Sequence, residues 1–302
     1  STMFSRNDRN GSARFVAMGG AFGAVGGDVT AMTINPAGIS IFNDSNASIA
    51  FQSRSTDYLT TYYGNSTTTQ QDFFKVSNAG VVFTFNNYTS DEWSKLAMGI
   101  NYRVLADFED TFIAKGTSGF ASFDNFPLDN SENPLVYDIA DNQQLSNFYN
   151  GDMSELSFAF SGVYEEKMHV GAGLNFYDLN FSQQTILREN NNDGNNNTLN
   201  ARLYQENFTT GVGFSLSAGV IYKPTNAFRL GLSYQSPTWF TEIIENTNIT
   251  NNDGFFGDTE IEVSNDDVIY DNTFGGNLPF QELLYKLRTP AKMTVSSVII
   301  FG

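Results

Sequence analysis

The sequence predicts an all-β protein, a transmembrane antiparallel β-barrel with a compact N-terminal segment lodged in it. Three observations predict it. Apolar residues alternate with Gly, Ser, Ala and Asn at a period of two. Short and long connections follow one another along the chain. Charge is scarce, while no stretch approaches the roughly 20 apolar residues of a membrane helix. Of 302 residues only 16% are charged, 28 are Phe and 14 are Tyr. The mean hydropathy of −0.27 argues against a helical membrane protein. No basic region followed by an apolar run opens the chain, which reads as mature from Ser1 onward.

The alternation is clearest in the middle of the chain. Leu156, Phe158, Phe160 and Tyr164 share one face; Ser157, Ala159 and Ser161 share the other. Val170, Ala172, Leu174 and Phe176 oppose Gly171, Gly173 and Asn175. Val212, Phe214, Leu216, Ala218, Val220 and Tyr222 oppose Gly213, Ser215, Ser217 and Gly219. The same pattern runs through 96–103 and 228–235, and more weakly through 49–51, 81–85 and 293–301. About eight strands result, near 47–62, 74–86, 94–112, 153–165, 168–188, 200–222, 227–244 and 286–301. In a soluble β-sandwich, the alternative architecture, the polar face would meet water and carry charge. A face of Gly, Ser, Ala and Asn suits a barrel lumen better, with lipid outside. Tyr102, Tyr164, Tyr177, Tyr222 and Tyr234 at strand ends suit interfacial girdles.

Short turns are expected at 86–93, 165–167 and 223–226, long connections at 107–152, 189–199 and 242–285. No Lys or Arg occurs in 116–166 or 230–285, whereas Lys95, Lys167, Lys223 and Arg229 cluster near the short turns. Residues 135–148 are expected to include a short helix, and the Asn-rich run 190–197 to be a mobile loop tip.

Residues 11–46 lack strand periodicity. They are rich in Gly and Ala, with Phe15, Met18, Phe22, Val25, Met32 and Ile34 interspersed. There is no G-x-G-x-x-G after a strand and no G-K-[ST], so a phosphate loop is excluded. Small residues permit close backbone packing, as a plug inside a barrel requires.

The order Met18-Gly19-Gly20-Ala21-Phe22, Gly27-Asp28 and Asn35-Pro36-Ala37-Gly38 resembles the N-terminal hatch of the long-chain fatty acid transporter (FadL) family of outer-membrane proteins, most closely its Bacteroidota-type members. Leu287-Arg288-Thr289-Pro290-Ala291-Lys292 before a strand is also similar to that family. The resemblance implies a hatch over 1–46 and barrel strands with extracellular loops over 47–302, in a multi-pass barrel of the cell outer membrane. It implies a 14-stranded barrel and passive uptake of hydrophobic small molecules, long-chain fatty acids or the like. Asn35, Pro36, Ala37 and Gly38 match the hatch motif. The partners it implies are those hydrophobic molecules, with outer-membrane lipid and lipopolysaccharide around the wall. The broad family also implies a different role, an accessory barrel subunit of an outer-membrane assembly such as a secretion complex. Eight strands are too few to surround such a hatch, so the chain is expected to be C-terminally incomplete. The third strand holds Gly99 and no Pro, which argues against the kink that lateral release needs.

Hydrophobic ligands need apolar contacts. Candidates are Phe15, Met18 and Phe22 on the hatch, Phe120, Phe123 and Phe126 in the first long connection, and Trp239 and Phe240 in the seventh strand. Phe255 and Phe256 are further aromatic candidates. The acidic run 253–271 carries seven acids and no base; a solvated surface explains it, and a Ca²⁺ site is conceivable without EF-hand spacing. No metal, cofactor or catalytic residue is expected, and the chain is not read as an enzyme. Zero Cys removes thiolate chemistry, and His169 is the single imidazole. A net charge of −17 argues against nucleic acid.

Overall fold

The structure, a computed structural model, describes residues 8, 10–86, 92–122, 136–225, 227–251 and 281–300. Among these, eleven strands form one antiparallel sheet: β1 (Asn46–Tyr62), β2 (Asn65–Asn86), β3 (Trp93–Asp107), β4 (Asp110–Gly116), β5 (Ile139–Tyr164), β6 (Met168–Asn192), β7 (Thr198–Tyr222), β8 (Phe228–Gln235), β9 (Trp239–Asn251), β10 (Gln281–Arg288) and β11 (Lys292–Ile299). The order is β1-β2-β3-β5-β6-β7-β8-β11, with β4 on β5, β9 on β7 and β10 on β9. No described helix is long and apolar enough to cross a membrane.

Three of the eight expected strands are each divided in two. Ser236-Pro237-Thr238 separates β8 from β9, and Thr289-Pro290-Ala291 separates β10 from β11. A proline cannot donate to a ladder, so side chains take over there. The Leu216 amide donates to Ser236 Oγ (2.9 Å), and the Thr238 amide to Thr289 Oγ1 (3.0 Å). The third expected strand breaks at Phe108-Glu109 without Pro or Gly of its own. The glycine that permits the break lies on β5. Gly151 has φ +107°, and a Cβ there would sit 2.1 Å from the Asn180 carbonyl oxygen. Beyond the break, β4 lies against β1 and β2: Thr60 Oγ1 donates to the Ile113 carbonyl (2.6 Å), and the Ile113 amide to Thr69 Oγ1 (3.1 Å). The upper part of β2 (65–77) pairs with β1, whereas its pairing with β3 begins at Asn78.

Several connections are shorter than expected. β2 begins at Asn65, directly after the Tyr63-Gly64 turn. The short helix expected in 135–148 is instead strand from Ile139, because that stretch pairs with β4 on one side and β6 on the other. The Asn-rich run closes into a defined turn. Asp193 Oδ2 accepts from Asn197 Nδ2 (2.6 Å) and Oδ1 from the amide of Asn195 (2.7 Å), bonds that hold its carboxyl below the usual range. The acidic run 253–271 lies outside the described residues, as do Phe255 and Phe256.

The faces of the sheet are inverted relative to a water-soluble fold. Leu96, Met98, Ile100, Leu156, Phe160, Phe176, Leu216, Leu230 and Leu232 point outward and are exposed, Phe160 at 57%. Asn101, Arg103, Glu155, Ser157, Ser161, Asn175 and Ser215 point inward and are buried. The outward apolar band has clear borders. It runs over nine residues in β5 (156–164) and β6 (168–176) and over eleven in β7 (212–222), where Val212 is still outward and exposed. Just above it, Asp152, Ser154, Asp178, Asn180, Thr210 and Glu242 take over the outward positions. A tilted strand needs about 9–11 residues to cross the hydrocarbon core, and apolar patches this large are rare on proteins surrounded by water.

The N-terminal segment lies on the inward face. A short helix α1 (Ala13–Ala17) is capped by Ser12, whose Oγ accepts from the Phe15 amide. Two 3₁₀ turns follow, Val29–Thr33 capped by Asp28 and Pro36–Ile41 capped by Asn35. The segment meets Gly80 of β2 through Val29, and both Gly231 of β8 and Ser296 of β11 through Gly23. One segment touching β2, next to one end of the strand order, and β11 at the other end requires the sheet to curl around it.

Candidate functional site

The contact between segment and wall is built on missing side chains. A Cβ on Gly219 would lie 2.0 Å from Asn35 Oδ1; one on Gly171, 2.5 Å from the Ala37 nitrogen. One on Gly231 would lie 2.2 Å from the Gly23 carbonyl oxygen, and one on Gly99 would strike Met32. Gly171 and Gly219 are direct partners across β6 and β7. The wall therefore offers a glycine socket into which the segment's backbone fits.

Asn35-Pro36-Ala37-Gly38 occupies the centre of that socket. Asn35 is fully buried; its Oδ1 accepts from the Ala37 amide (3.1 Å) and starts the 3₁₀ turn. Its Nδ2 donates to the Gly23 carbonyl (2.7 Å) and to Val220 of β7 (3.3 Å). Pro36 stands at the first position of the turn, where no amide proton is needed. Cations clasp the segment at two places: Lys95 Nζ donates to the Phe42 carbonyl (2.8 Å) and Arg229 Nη1 to that of Val25 (2.8 Å).

Beside the socket lies a cavity of about 410 Å³ between segment and wall. Phe15 and Ile34 supply its apolar side; Arg103, Ser233, Gln235 and Lys292 supply its polar side. A buried polar group borders it. Arg103 donates through Nε and Nη2 to Glu155 Oε2 (2.8 and 2.6 Å), and Ser157 Oγ donates to Glu155 Oε1 (3.0 Å). Gln235 Nε2 donates to Tyr177 Oη (2.7 Å), which lies 3.0 Å from Ser215 Oγ. Beyond this group, toward the long connections, the inward face turns apolar: Leu105, Phe108, Met153, Leu179, Phe240 and Ile243 form one buried cluster.

The residues expected to contact ligand are divided among several places. Phe15 lines the cavity, with Phe22 stacked behind it at 5.5 Å and fully buried. Met18 is exposed on the segment, and Phe120 is exposed at 77% in the connection after β4. Trp239 and Phe240, adjacent in sequence, point to opposite faces. Trp239 lies outward against Phe214 at 5.2 Å, and Phe240 joins the inward cluster. Phe123 and Phe126 lie outside the described residues. Arg103, Glu155, Tyr177 and Gln235 have only their position on the polar face to mark them in the sequence. Their pairing across 52 and 58 residues is invisible in one dimension. Among the described residues, no group of three His, Cys, Asp or Glu is placed to hold a metal.

In fold, the chain is similar to the crystal structure of a Pseudomonas aeruginosa FadL homologue, with a TM-score of 0.51 and 14% sequence identity. The alignment covers 98% of this chain and 66% of that protein, so the chain spans about two thirds of its length. No family model and no curated protein matches the sequence.

Proposed function

We propose that the protein is an outer-membrane conduit for passive uptake of hydrophobic small molecules, fatty acids or similar amphiphiles, with residues 1–46 acting as its hatch. One observation carries the reading: a cavity with apolar and cationic sides lies between a docked segment and a wall whose outer face is apolar. Phe15 and Ile34 would take a chain, and Arg103 and Lys292 an anionic or polar end. The buried cluster around Phe240 would pass ligand toward the cavity by partitioning alone, with no energy source. The FadL-like fold supports this reading, and it supports a transporter over an enzyme. Although the third strand's own residues do not signal a kink, it breaks after Asp107, where β2 loses its β3 partner and Lys75 bridges to Asp107, and a sideways exit would lie there.

Ser233 tests the reading. It is buried and lines the cavity. In liposomes carrying the protein, Ser233→Trp is expected to lower uptake of a fluorescent fatty acid by about tenfold, since the indole fills binding volume. Unchanged uptake by a correctly inserted variant would refute the cavity as the route.

A further inference from the structure

His169 is the chain's single histidine, and transport through the cavity makes no use of it. It is the second residue of β6, 3% exposed, and faces the 3₁₀ turn Pro36–Ile41. Its Nδ1 lies 2.8 Å from Ser40 Oγ. The Ser40 hydroxyl donates to the Ala37 carbonyl (3.0 Å), and Ser161 Oγ lies 2.8 Å from it. With the Ser40 proton committed to Ala37, the ring proton belongs on Nδ1 and is donated to Ser40. Nε2 is then bare, and no partner lies within reach of it among the described residues.

The charges that bear on the ring are all cations: Lys223 in the turn after β7, Arg229 on β8 and Lys95 on β3. Burial and Arg229 already hold the Lys223 ammonium below its ordinary pKa, with Glu166 partly opposing them. The turn Pro36–Ile41 brings no charged side chain. Asp28, the acid that caps the preceding turn, is committed to Ser12 and the Thr30 amide. The partners of His169 across the sheet, Val163 and Ile221, are apolar.

We infer that His169 is an acid-sensitive latch on the N-terminal segment. While the ring is neutral it ties Ser40 to the wall. Taking up a proton at Nε2 would bury a donor without an acceptor and add a fourth cation to Lys95, Lys223 and Arg229. Such a burial is costly, and the cost is relieved when the segment lifts and water reaches the ring. Docking is therefore full at neutral pH and weakens as the pH falls. The inference concerns how the segment is held, whatever passes beside it.

Hydrogen exchange over residues 29–42 tests it, on the intact chain in lipid, after correction for the intrinsic chemical rate. Between about pH 7.5 and about pH 5, the range in which imidazole charges, exchange is expected to rise by about tenfold. His169→Asn can donate to Ser40 without titrating, and its exchange is expected to stay flat across that range. A flat wild type, or an equal rise in His169→Asn, would overturn the latch. Should the variant fail to insert, histidine NMR of the wild type decides the same point: the ring of the docked segment must stay neutral across that range, and a charged ring must appear only with the lifted segment. A ring that titrates with no change in exchange would overturn the inference.

Discussion

Gly219→Val is expected to expel the N-terminal segment from the wall. A Cβ at Gly219 lies 2.0 Å from Asn35 Oδ1, and Pro36 closes the other side at 3.2 Å. Neither atom can withdraw cheaply. Asn35 is fixed by bonds to Gly23 and Val220, and Pro36 begins the turn that Asn35 caps. Overpacking a tight contact costs about 1–3 kcal/mol, and here the two added methyl groups also fall on the socket's centre. The wall itself should survive, because β7 keeps its ladders with β6, β8 and β9. Limited proteolysis in detergent reads the outcome: the variant's segment should be cut under conditions that spare the wild type, with the strands intact. A protected segment in Gly219→Val would show that the socket is looser than the glycine contacts require.

Glu155→Ala is expected to destabilise the wall itself. Arg103 and Glu155 are both buried, and Glu155 also accepts from Ser157. Removing the carboxylate leaves a buried guanidinium with no counter-charge, a loss of about 3–5 kcal/mol. Replacing both partners with methionine removes the burden together with the bond and should restore most of that loss. Urea unfolding of the lipid-inserted protein, followed by tryptophan fluorescence, measures both variants. Equal midpoints for Glu155→Ala and wild type would mean that water in the cavity already solvates Arg103.

These two sites differ in how far the sequence discloses them. The wall's apolar band is legible at 156–164, 168–176 and 212–222 because one face there is apolar and exposed while the other is polar and buried, which shows as strict alternation. Farther up the same strands the signal fades. Gln143, Asn147, Gln183 and Asn207 belong to strands whose two faces are both polar, and only their ladders hold them in register. The stretch 135–148 therefore reads as helix or loop, although it is strand from Ile139. The break after Asp107 is hidden for another reason, since its glycine, Gly151, sits on the neighbouring strand. Pro237, by contrast, stands in plain view inside the expected strand 227–244, and it marks the division between β8 and β9.

The segment's small residues signal close packing, but not against what. Gly171, Gly219 and Gly231 read as the polar face of strands, and only the curled sheet shows them as the other half of the contact. Arg103, Glu155, Tyr177 and Gln235 come from β3, β5, β6 and β8. Nothing local distinguishes them from the Ser and Asn residues beside them.

The chain's two tryptophans offer the most direct test that the apolar band faces lipid. Trp93 opens β3 at the end of the short turns, packed on Tyr164 at 5.3 Å and covering Gly162. Trp239 lies outward at the opposite border, against Phe214. In liposomes, brominated lipids should quench both, more strongly when the bromine lies near the interface than at the bilayer centre, while aqueous acrylamide quenches weakly. Strong acrylamide quenching of both, with no effect of brominated lipid, would contradict a lipid-facing wall.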